Sequence, residues 1–263
     1  MNTDFPRQIK RLYLDLETSP NVVLSWRVGY DIKIDCDNII KERAIICAGW
    51  KWETDKAASI IVWDKNQDDK KLLQKVIAIA KDADEIIMHN GDRFDWPWVM
   101  ARAAFHGLRV PPVKTVDTLQ WARRKFNFNS NKLDYIAKFL GIGGKIKTEF
   151  GLWKDICLHS CPKSLKQMAD YCKRDVELLE RVHKRLEDFV PAKTHVGVLA
   201  GLDKWTSPFN GSTKVKKNCT RVTAGGTKQH QMQCLTTGRT YTISEAVYKT
   251  YQAWRKERED KKK

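Results

Sequence analysis

Two acidic residues interrupt an apolar segment near the start of the chain, and they constrain what this segment can form. The stretch RLYLDLETSP, residues 11–20, has the apolar content of a buried β-strand, with Asp15 and Glu17 two positions apart inside it. Because successive residues of a strand point to opposite faces, both carboxylates lie on the same face. Burying two like charges without a partner is costly, so we expect a positively charged group between them.

The order of the predicted elements indicates the fold class. Apolar periodicity predicts strands over residues 10–17, 44–52, 58–64 and 85–90, and helices over residues 69–83, 95–107 and 164–189. Three consecutive strands followed by alternating helices and strands predict a mixed α/β sheet that is covered by helices.

The chain changes character after Pro191. Residues 191–263 contain short alternating segments rich in Gly, Thr and Lys, and they end in a charged helical pattern. We therefore predict one domain over residues 1–190 and a small β-rich module with a charged C-terminal helix over residues 191–263. This module holds 15 Lys and Arg against 5 Asp and Glu, in a chain of net charge +16. Such a basic balance favours a polyanionic partner, most commonly nucleic acid.

The rest of the composition bears on the compartment. The chain shows no leader pattern and no apolar run near the ~20 residues that cross a bilayer, which predicts a cytoplasmic protein without a membrane partner. Seven scattered cysteines without a CxxC pair indicate reduced thiols rather than a disulfide framework. Cys157 and Cys161 are interpreted as core and loop thiols, because no second pair completes a metal site.

Further acids are expected to join the first two. Asp95 follows a predicted strand and is expected to cap a predicted helix, which places it at the edge of the sheet. Tyr171 and Asp175 are four residues apart on the long predicted helix, so they are neighbours on its surface, and Asp175 borders the apolar stripe that includes Cys172. Four carboxylates converging from two strand ends and two helices would bind two hard divalent cations through oxygen ligands.

These residues form three motifs that resemble those of a known family. Asp15-Leu16-Glu17, Asn90-x-x-x-Phe94-Asp95 and Tyr171-x-x-x-Asp175 are similar to the motifs of the DEDD superfamily of 3′–5′ exonucleases, which have the RNase H-like fold. The tyrosine matches the DEDDy subgroup, which includes proofreading domains of DNA polymerases. The resemblance covers about residues 9–190.

The resemblance implies two-metal hydrolysis of phosphodiester bonds with Mg²⁺ or Mn²⁺. It implies that Asp15 bridges both ions, that Glu17 and Asp175 hold the ion that activates water, and that Asp95 supports the second ion. Glu17 would also contact the terminal 3′-hydroxyl. Tyr171 would orient the attacking water, since a phenol that titrates near ~10 is a poor base at neutral pH.

Other residues near the motifs have more than one interpretation. Asn90 and Phe94 are candidates for contact with the nucleic acid strand, and turn and core roles remain open for both. Asp92 is interpreted as a loop acid and Asp117 as a helix cap. Aromatic residues at 96 and 98 are interpreted as core residues, with base stacking as the alternative. Residues 21–43 are long for a connection and are expected to line the substrate channel.

The C-terminal module resembles a zinc ribbon that has lost its ligands. The four ligand positions are occupied by Ser207, Asn210, Cys234 and Thr237. A tetrahedral site cannot be built from this set, so we expect no structural zinc. Cys219 and His230, together with Cys234, remain an alternative trio. The ribbon trace suggests a phage or mobile-element origin, and thus the cytoplasm of a host.

A metal-free module would instead expose basic residues that hold the phosphate backbone without reading sequence. The candidates are Lys214, Lys216, Lys217, Arg221, Lys228 and Arg239. A protein-docking module and a solvated tail without a partner are the alternatives.

The sequence as a whole predicts a metal-dependent 3′–5′ exonuclease that acts on single-stranded or frayed nucleic acid. DNA is favoured as the substrate and RNA stays open, because no motif reads the 2′-position. The alternatives are a non-catalytic nucleic-acid-binding protein with the same fold, and an endonuclease or trimming nuclease with the same site.

Overall fold

The structure is a computed structural model that describes residues 8–29, 31–144 and 149–261. The chain divides into two compact units, one spanning Lys10–Leu186 and the other beginning at Glu187. Across the described ranges, every helix is too short or too polar to serve as a membrane span.

The first unit begins with five strands, continues with helices and strands that alternate, and ends with consecutive helices. Its strands are β1 (Arg11–Thr18), β2 (Val22–Val23), β3 (Ile39–Lys41), β4 (Ile45–Trp52), β5 (Ser59–Val62), β6 (Glu85–Met88) and β7 (Thr115–Asp117). Its helices are α1 (Lys70–Lys81), α2 (Asp95–Phe105), α3 (Thr118–Lys125), α4 (Leu133–Phe139), α5 (Gly151–His159) and α6 (Pro162–Leu186).

Five of these strands form one mixed sheet in the order β5-β4-β1-β6-β7. β1 pairs with β4 and β4 with β5 in antiparallel fashion, whereas β6 lies parallel to both β1 and β7. The predicted mixed α/β sheet flanked by helices is confirmed. Within residues 21–43, β2 and β3 form a separate antiparallel pair.

The alternation along β1 assigns its side chains to two faces. Leu12, Leu14 and Leu16 belong to the apolar cluster that contains the buried residues of α1 and α2. Tyr13 belongs instead to the cluster formed by residues of α3, α4 and α6. Since Asp15 follows Tyr13 at two positions, its carboxylate lies on the α6 face of the sheet.

Helix α6 lies very close to β4. A Cβ atom added at Gly49 would lie 2.9 Å from Cys172 Sγ and 3.1 Å from a methyl group of Val176. Gly49 is also the residue of β4 that pairs with Asp15. The missing side chain therefore lets α6 approach the sheet at the position of the acidic strand.

Some boundaries differ from those predicted. Asp95 is the first residue of α2 and not its cap, a position that Phe94 occupies. Helix α6 ends at Leu186, and a short 3₁₀ turn follows it over Glu187–Phe189. Cys157, interpreted as part of a core, is buried within α5, a helix that the apolar pattern did not predict.

The second unit is a small antiparallel sheet with helices. It contains α7 (Val196–Leu199), β8 (Val215–Val222), β9 (Lys228–Cys234), β10 (Thr240–Ser244) and α8 (Glu245–Asp260), with the strand order β10-β9-β8. Trp205, Met232 and Tyr251 lie in its apolar core. The predicted small β-rich module and terminal helix are confirmed.

Candidate active site

Three of the predicted carboxylates meet on the α6 face of the sheet. Oxygen atoms of Asp15, Glu17 and Asp175 all lie within 4.8 Å of one another. Asp175 is almost fully buried because it follows the packed face of α6, whereas Asp15 and Glu17 are partly accessible from solvent. The strand alternation and the helical spacing thus bring two neighbouring acids and a distant one to the same place.

Asp95 lies beside this group of three. Its Oδ1 accepts a hydrogen bond of 3.0 Å from the backbone N–H of Leu16, the residue between the two acids of β1. Burial, followed by the negative charges of Asp15 and then Glu17, raises the pKa of the Asp95 carboxyl well above its ordinary value. The shift reports excess negative charge in a site with little water.

The donor set fits hard divalent cations. Carboxylate oxygens are the ligands that Mg²⁺ and Mn²⁺ prefer, and the raised pKa of Asp95 shows that a positive charge placed here would relieve repulsion among the acids. A divalent cation bound here would be the positive partner that the sequence of β1 requires.

Tyr171 and Cys172 border the carboxylates on α6. Tyr171 is half-buried and lies one helical turn before Asp175. Cys172 was expected only to pack in the apolar stripe, but its Sγ lies 3.5 Å from Asp15 O and 3.8 Å from Asp15 Oδ2. A hydrogen bond with Cys47, then burial, then the nearby carboxylates raise the pKa of the Cys172 thiol well above its ordinary value. The thiol therefore stays protonated and donates to Asp15.

The second motif is held by Asp117. The backbone N–H groups of Asn90 and Leu119 both donate to Asp117 Oδ1, each at 2.9 Å. The predicted role of Asp117 as a helix cap is confirmed. Asn90 has a φ of 68°, a left-handed conformation that asparagine tolerates better than most residues.

Asn90 also lines a cavity of about 540 Å³. Other residues that line it are Arg123, Asn131 and Lys132. Phe94 is 38% exposed and contacts the ring of Trp98. Asp92 is exposed in the loop between β6 and α2. Asn90 and Phe94 are therefore accessible beside the carboxylates without being among them.

A second acidic cluster has a structural explanation. Asp68, Asp69 and His106 also lie within ligand distance of one another. Asp69, however, is fully buried and accepts two hydrogen bonds from Arg102, at 2.8 and 2.9 Å. Burial alone would raise the pKa of Asp69, but the hydrogen bonds from Arg102, the Ile45 N–H and His106 lower it below its ordinary value. This network ties α1 and α2 to β4.

The predicted basic residues of the second unit differ in exposure. Those on the surface are Lys214, Lys216, Lys217, Arg221 and Lys228. The expectation that Arg239 is exposed is wrong. Its guanidinium donates to the carbonyl oxygens of Glu187 and Val190 at 2.6 and 2.8 Å and lies 3.7 Å from the centre of the Phe209 ring, so packing occupies it.

Cys234 is enclosed by the other residues of the predicted ribbon positions. Its thiol lies 3.6 Å from Asn210 Oδ1 and 3.0 Å from Thr236 Oγ1. Burial would raise the pKa of Cys234, but hydrogen bonds from Ser207, Thr236 and Thr237 lower it to about 7. Polar groups here surround a single sulfur atom.

The three residues of the alternative zinc site, Cys219, His230 and Cys234, each form hydrogen bonds with other residues. His230 bonds Glu245 at 2.7 Å and Thr220 at 3.1 Å, and Cys219 bonds Gln231. In the part of the chain that the structure describes, no group of three potential ligands includes Cys219, His230 or Cys234.

The comparison with protein families gives one match. The family RNase_H_2, described as RNase_H superfamily, matches residues 40–187. This range contains Asp95, Tyr171 and Asp175 and begins after the two acids of β1.

Two curated relatives with similar sequences are DNA polymerases. The chain is 22% identical over 185 residues to a DNA polymerase of Thermococcus litoralis, which covers 57% of this chain and 11% of the polymerase. It is 33% identical over 64 residues to a DNA polymerase of Methanocaldococcus jannaschii, covering 24% of this chain and 4% of the polymerase. The chain therefore spans about a tenth or less of the length of these relatives.

A solved structure shows a similar fold. The family B DNA polymerase from the hyperthermophilic archaeon Pyrobaculum calidifontis aligns with a TM-score of 0.54 and 16% identity, over 74% of this chain and 26% of that polymerase. At this identity the likeness concerns the fold alone.

Proposed function

Because this chain belongs to the RNase H superfamily, we propose that it is a metal-dependent nuclease that removes nucleotides from the 3′ end of single-stranded or frayed nucleic acid, with DNA favoured. The observation that carries the proposal is the convergence of Asp15, Glu17 and Asp175 within 4.8 Å. A buried fourth carboxylate, Asp95, lies beside them. Four acids at one edge of a sheet lower the stability of the fold. Binding of cations for phosphodiester hydrolysis explains why the chain carries them there.

The four acids would hold two divalent cations, Mg²⁺ or Mn²⁺, which supply activation of water and neutralisation of charge on the scissile phosphate. Asp15 would be a ligand of both ions, and its carboxylate lies within 4.8 Å of those of Glu17 and Asp175. Glu17 and Asp175 would hold the ion that activates water. Asp95, whose Oδ1 is engaged by the Leu16 N–H, supports the other side.

The neighbours of the carboxylates orient the reactants. The Tyr171 hydroxyl is assigned to position the attacking water, since the residue lies one helical turn from Asp175. The Cys172 thiol donates to Asp15 and restricts the orientation of that carboxylate. Asn90 and Phe94 are accessible beside the site and are proposed to contact the terminal nucleotides.

The 3′–5′ direction and the preference for DNA rest on similarity. The three motifs resemble those of DEDDy exonucleases, and the chain is 22% identical over 185 residues to a DNA polymerase. The motif resemblance favours an exonuclease over an endonuclease, and a catalyst over a protein that only binds nucleic acid.

The basic second unit is proposed to hold the phosphate backbone. Its exposed residues Lys216, Lys217 and Arg221 lie on β8. Exposed arginine and lysine residues bind phosphates without reading bases. Arg239 is left out of this surface because its guanidinium is occupied by backbone carbonyl groups.

The test of catalysis uses 5′-labelled single-stranded DNA and RNA of the same sequence, incubated with Mn²⁺ or with EDTA. We expect a ladder that shortens from the 3′ end with Mn²⁺ and intact strands with EDTA. Asp15→Asn should abolish the ladder at nearly constant shape. Asp92→Asn, an exposed acid of the second motif, is the matched control and should leave the ladder unchanged.

Other outcomes favour the alternatives. Cleavage of circular single-stranded DNA would contradict the exonuclease and favour an endonuclease. Intact strands under every condition, with retention of the labelled strand in a gel shift, would favour a protein that binds nucleic acid without cleaving it.

The test of the basic surface is the salt dependence of binding. Replacing Lys216, Lys217 and Arg221 with glutamine should lower the slope of log K against log salt by about 2, because each lost phosphate contact on a single strand contributes ~0.7. An equal change of charge elsewhere in the unit is made with the exposed lysines Lys193, Lys249 and Lys256. Equal slopes for both variants would contradict the proposed surface and favour a protein-docking module.

A further inference from the structure

A groove lies along the exposed side of α2, next to the proposed catalytic carboxylates. It has a volume of about 660 Å³. It is lined by residues of α2 about one helical turn apart, Trp98, Arg102 and Phe105. Arg93, just before α2, and Glu42 and Arg43, just before β4, also line it. From residue 97 to residue 105 the groove follows α2 for ~12 Å.

The groove begins where the acidic strand ends. The Arg43 N–H donates to Asn21 Oδ1 at 3.1 Å, and the next residue of the chain exchanges hydrogen bonds with Ser19, just after β1. At its other wall, Trp98 contacts the ring of Phe94, which directly precedes Asp95. The groove therefore lies at the end of β1 that carries the acids, where a strand bound at the carboxylates would continue.

Two arginines of the groove have charges available for a ligand. Arg43 and Arg93 are exposed, and neither forms an ion pair with another described residue. Arg102 is different, since Asp69 engages its guanidinium from the buried side. Glu42 is the acidic residue of the lining, so two available cations face one carboxylate.

Aromatic rings hold the arginines in place. The Arg43 guanidinium lies 4.7 Å from the centre of the Trp98 ring, and that of Arg102 lies 4.4 Å from the Phe105 ring. A guanidinium that is stacked on a ring loses less side-chain freedom when it binds phosphate through its planar fork. A groove with one stacked and available arginine, Arg43, a second available arginine, Arg93, and an exposed ring has the chemistry of a surface for single-stranded nucleic acid.

We propose that this groove binds the backbone of the substrate strand upstream of its 3′ end, with Arg43 and Arg93 as the phosphate contacts. The inference rests on the proposed function and adds to it a requirement for length. Substrates long enough to reach the groove bind more tightly than those that occupy only the carboxylates. The contribution is one of binding, so it lowers KM without changing kcat.

The first test measures binding without catalysis. Single-stranded DNA with a fluorescent label is titrated with the full chain in EDTA, where no cleavage is expected, and anisotropy gives the Kd at several salt concentrations. Replacing Arg43 and Arg93 with glutamine should raise Kd about tenfold and lower the salt slope by about 1.4. Arg43→Lys, which keeps the charge but loses the planar fork, should give an intermediate Kd.

The second test compares substrates of different length. With Mn²⁺, the variant with both replacements should have about a tenfold higher KM for a long strand, the same kcat, and unchanged cleavage of a dinucleotide. The matched control replaces the exposed Lys70 and Lys81 of α1 with glutamine and should leave all constants unchanged. Thermal melting of each variant verifies that it is folded.

The two proposals fail in different ways. Unchanged Kd and salt slope in the Arg43 and Arg93 variant would overturn the groove, whether or not the wild type cleaves DNA. An equal loss of dinucleotide cleavage would also overturn it, because the arginines would then act at the carboxylates. A wild type that binds through the groove and cleaves nothing would overturn the proposed function and leave the groove established.

Discussion

Replacing Gly49 with alanine is expected to impair the site although this residue has no functional group. Gly49 pairs with Asp15 across β1 and β4, and its added Cβ would lie 2.9 Å from Cys172 Sγ. The same methyl group would lie 3.1 Å from Val176 and 3.3 Å from the Cys172 carbonyl oxygen. Both neighbours are fully buried on α6, so the contact is relieved mainly by a shift of the helix away from the sheet.

The magnitude follows from the size of the overlap. Carbon and sulfur atoms pack well at roughly 3.5–4.0 Å, so α6 or its side chains must move by roughly 0.5–1 Å at this point. Overpacking of this kind costs about 1–3 kcal/mol in the free energy of unfolding, which corresponds to roughly 2–10 °C in Tm for a unit of this size. Asp175 moves with the helix relative to Asp15, and a displacement of ~0.5–1 Å should lower kcat by about tenfold or more.

The assay combines melting, cleavage and metal dependence. Differential scanning fluorimetry gives Tm, and the 5′-labelled strand gives kcat over a series of Mn²⁺ concentrations. Gly49→Ala should require a higher Mn²⁺ concentration for half-maximal activity, because the carboxylates no longer meet at the same distances. Gly151→Ala is the matched control: its Cβ would have no neighbour within 4 Å, and it begins α5, so it should be neutral or slightly stabilising.

A second replacement tests the cause. Cys172→Ala removes the sulfur atom that the new methyl group meets, so the double variant should recover part of the Tm lost in Gly49→Ala. A Gly49→Ala protein with the Tm, kcat and Mn²⁺ requirement of the wild type would refute the reasoning. It would mean that the approach of α6 to β4 does not set the spacing of the acids.

Three further changes have expected outcomes. Asp95→Asn should raise Tm in EDTA by a few °C, roughly 1 kcal/mol, because it removes a buried charge whose pKa is raised by burial and by Asp15, and it should abolish the stabilisation given by added Mn²⁺. Asp69→Asn should lower the free energy of unfolding by about 3 kcal/mol, since it breaks the buried pair with Arg102, whereas the half-exposed Asp68→Asn should change it by less than ~0.5 kcal/mol in chemical denaturation. The pKa of Cys234 is lowered from 9.0 to about 7 in the folded state, so its contribution to stability is full above pH 9 and is lost as the pH falls through 7. The free energy of unfolding of the second unit should therefore increase by at most about 3 kcal/mol between pH 7 and pH 9, and its Tm should increase accordingly. Cys234→Ser should flatten this increase.

Local periodicity was sufficient to predict the acidic face of β1 and the position of Asp175. Side chains two residues apart in a strand, or four apart in a helix, lie on the same face of that element, so the sequence alone determines which of them share a face. The structure places Asp15, Glu17 and Asp175 together, as the order of the elements and the motif resemblance led us to expect. Their catalytic role stays a prediction until cleavage is measured.

Contacts between elements were beyond the reach of periodicity. The sequence shows that Asp95 begins a helix, but the carboxylate is used by the backbone of a neighbouring strand, at Leu16. Cys172 was placed in the apolar stripe, and the structure adds a hydrogen bond to Asp15. Nothing in the local pattern of α6 or β4 reveals that Gly49 is the point of closest approach.

Charge was the least reliable guide to exposure. Arginine is exposed by default, and Lys216 and Arg221 follow this rule. Arg239 does not, because its guanidinium fork fits two backbone carbonyl groups and the face of Phe209. The presence of Phe209 is the one sequence feature that could have indicated this, since an aromatic residue in a small module gives an arginine a packing partner.

The proposed roles of the three regions are separable because each acts on a different combination of observables. The spacing between α6 and β4 determines how the acids hold cations, so Gly49→Ala acts on the metal requirement and on kcat. The groove of Arg43 and Arg93 holds a strand that is already at the site, so its variants act on KM and on the salt slope, and only for long substrates. The exposed basic residues of β8 attract phosphate at long range, so their variants act on the salt slope. If one variant moved all three observables together, the simplest physical cause would be a general loss of folded protein, and Tm would decide this before any role is assigned.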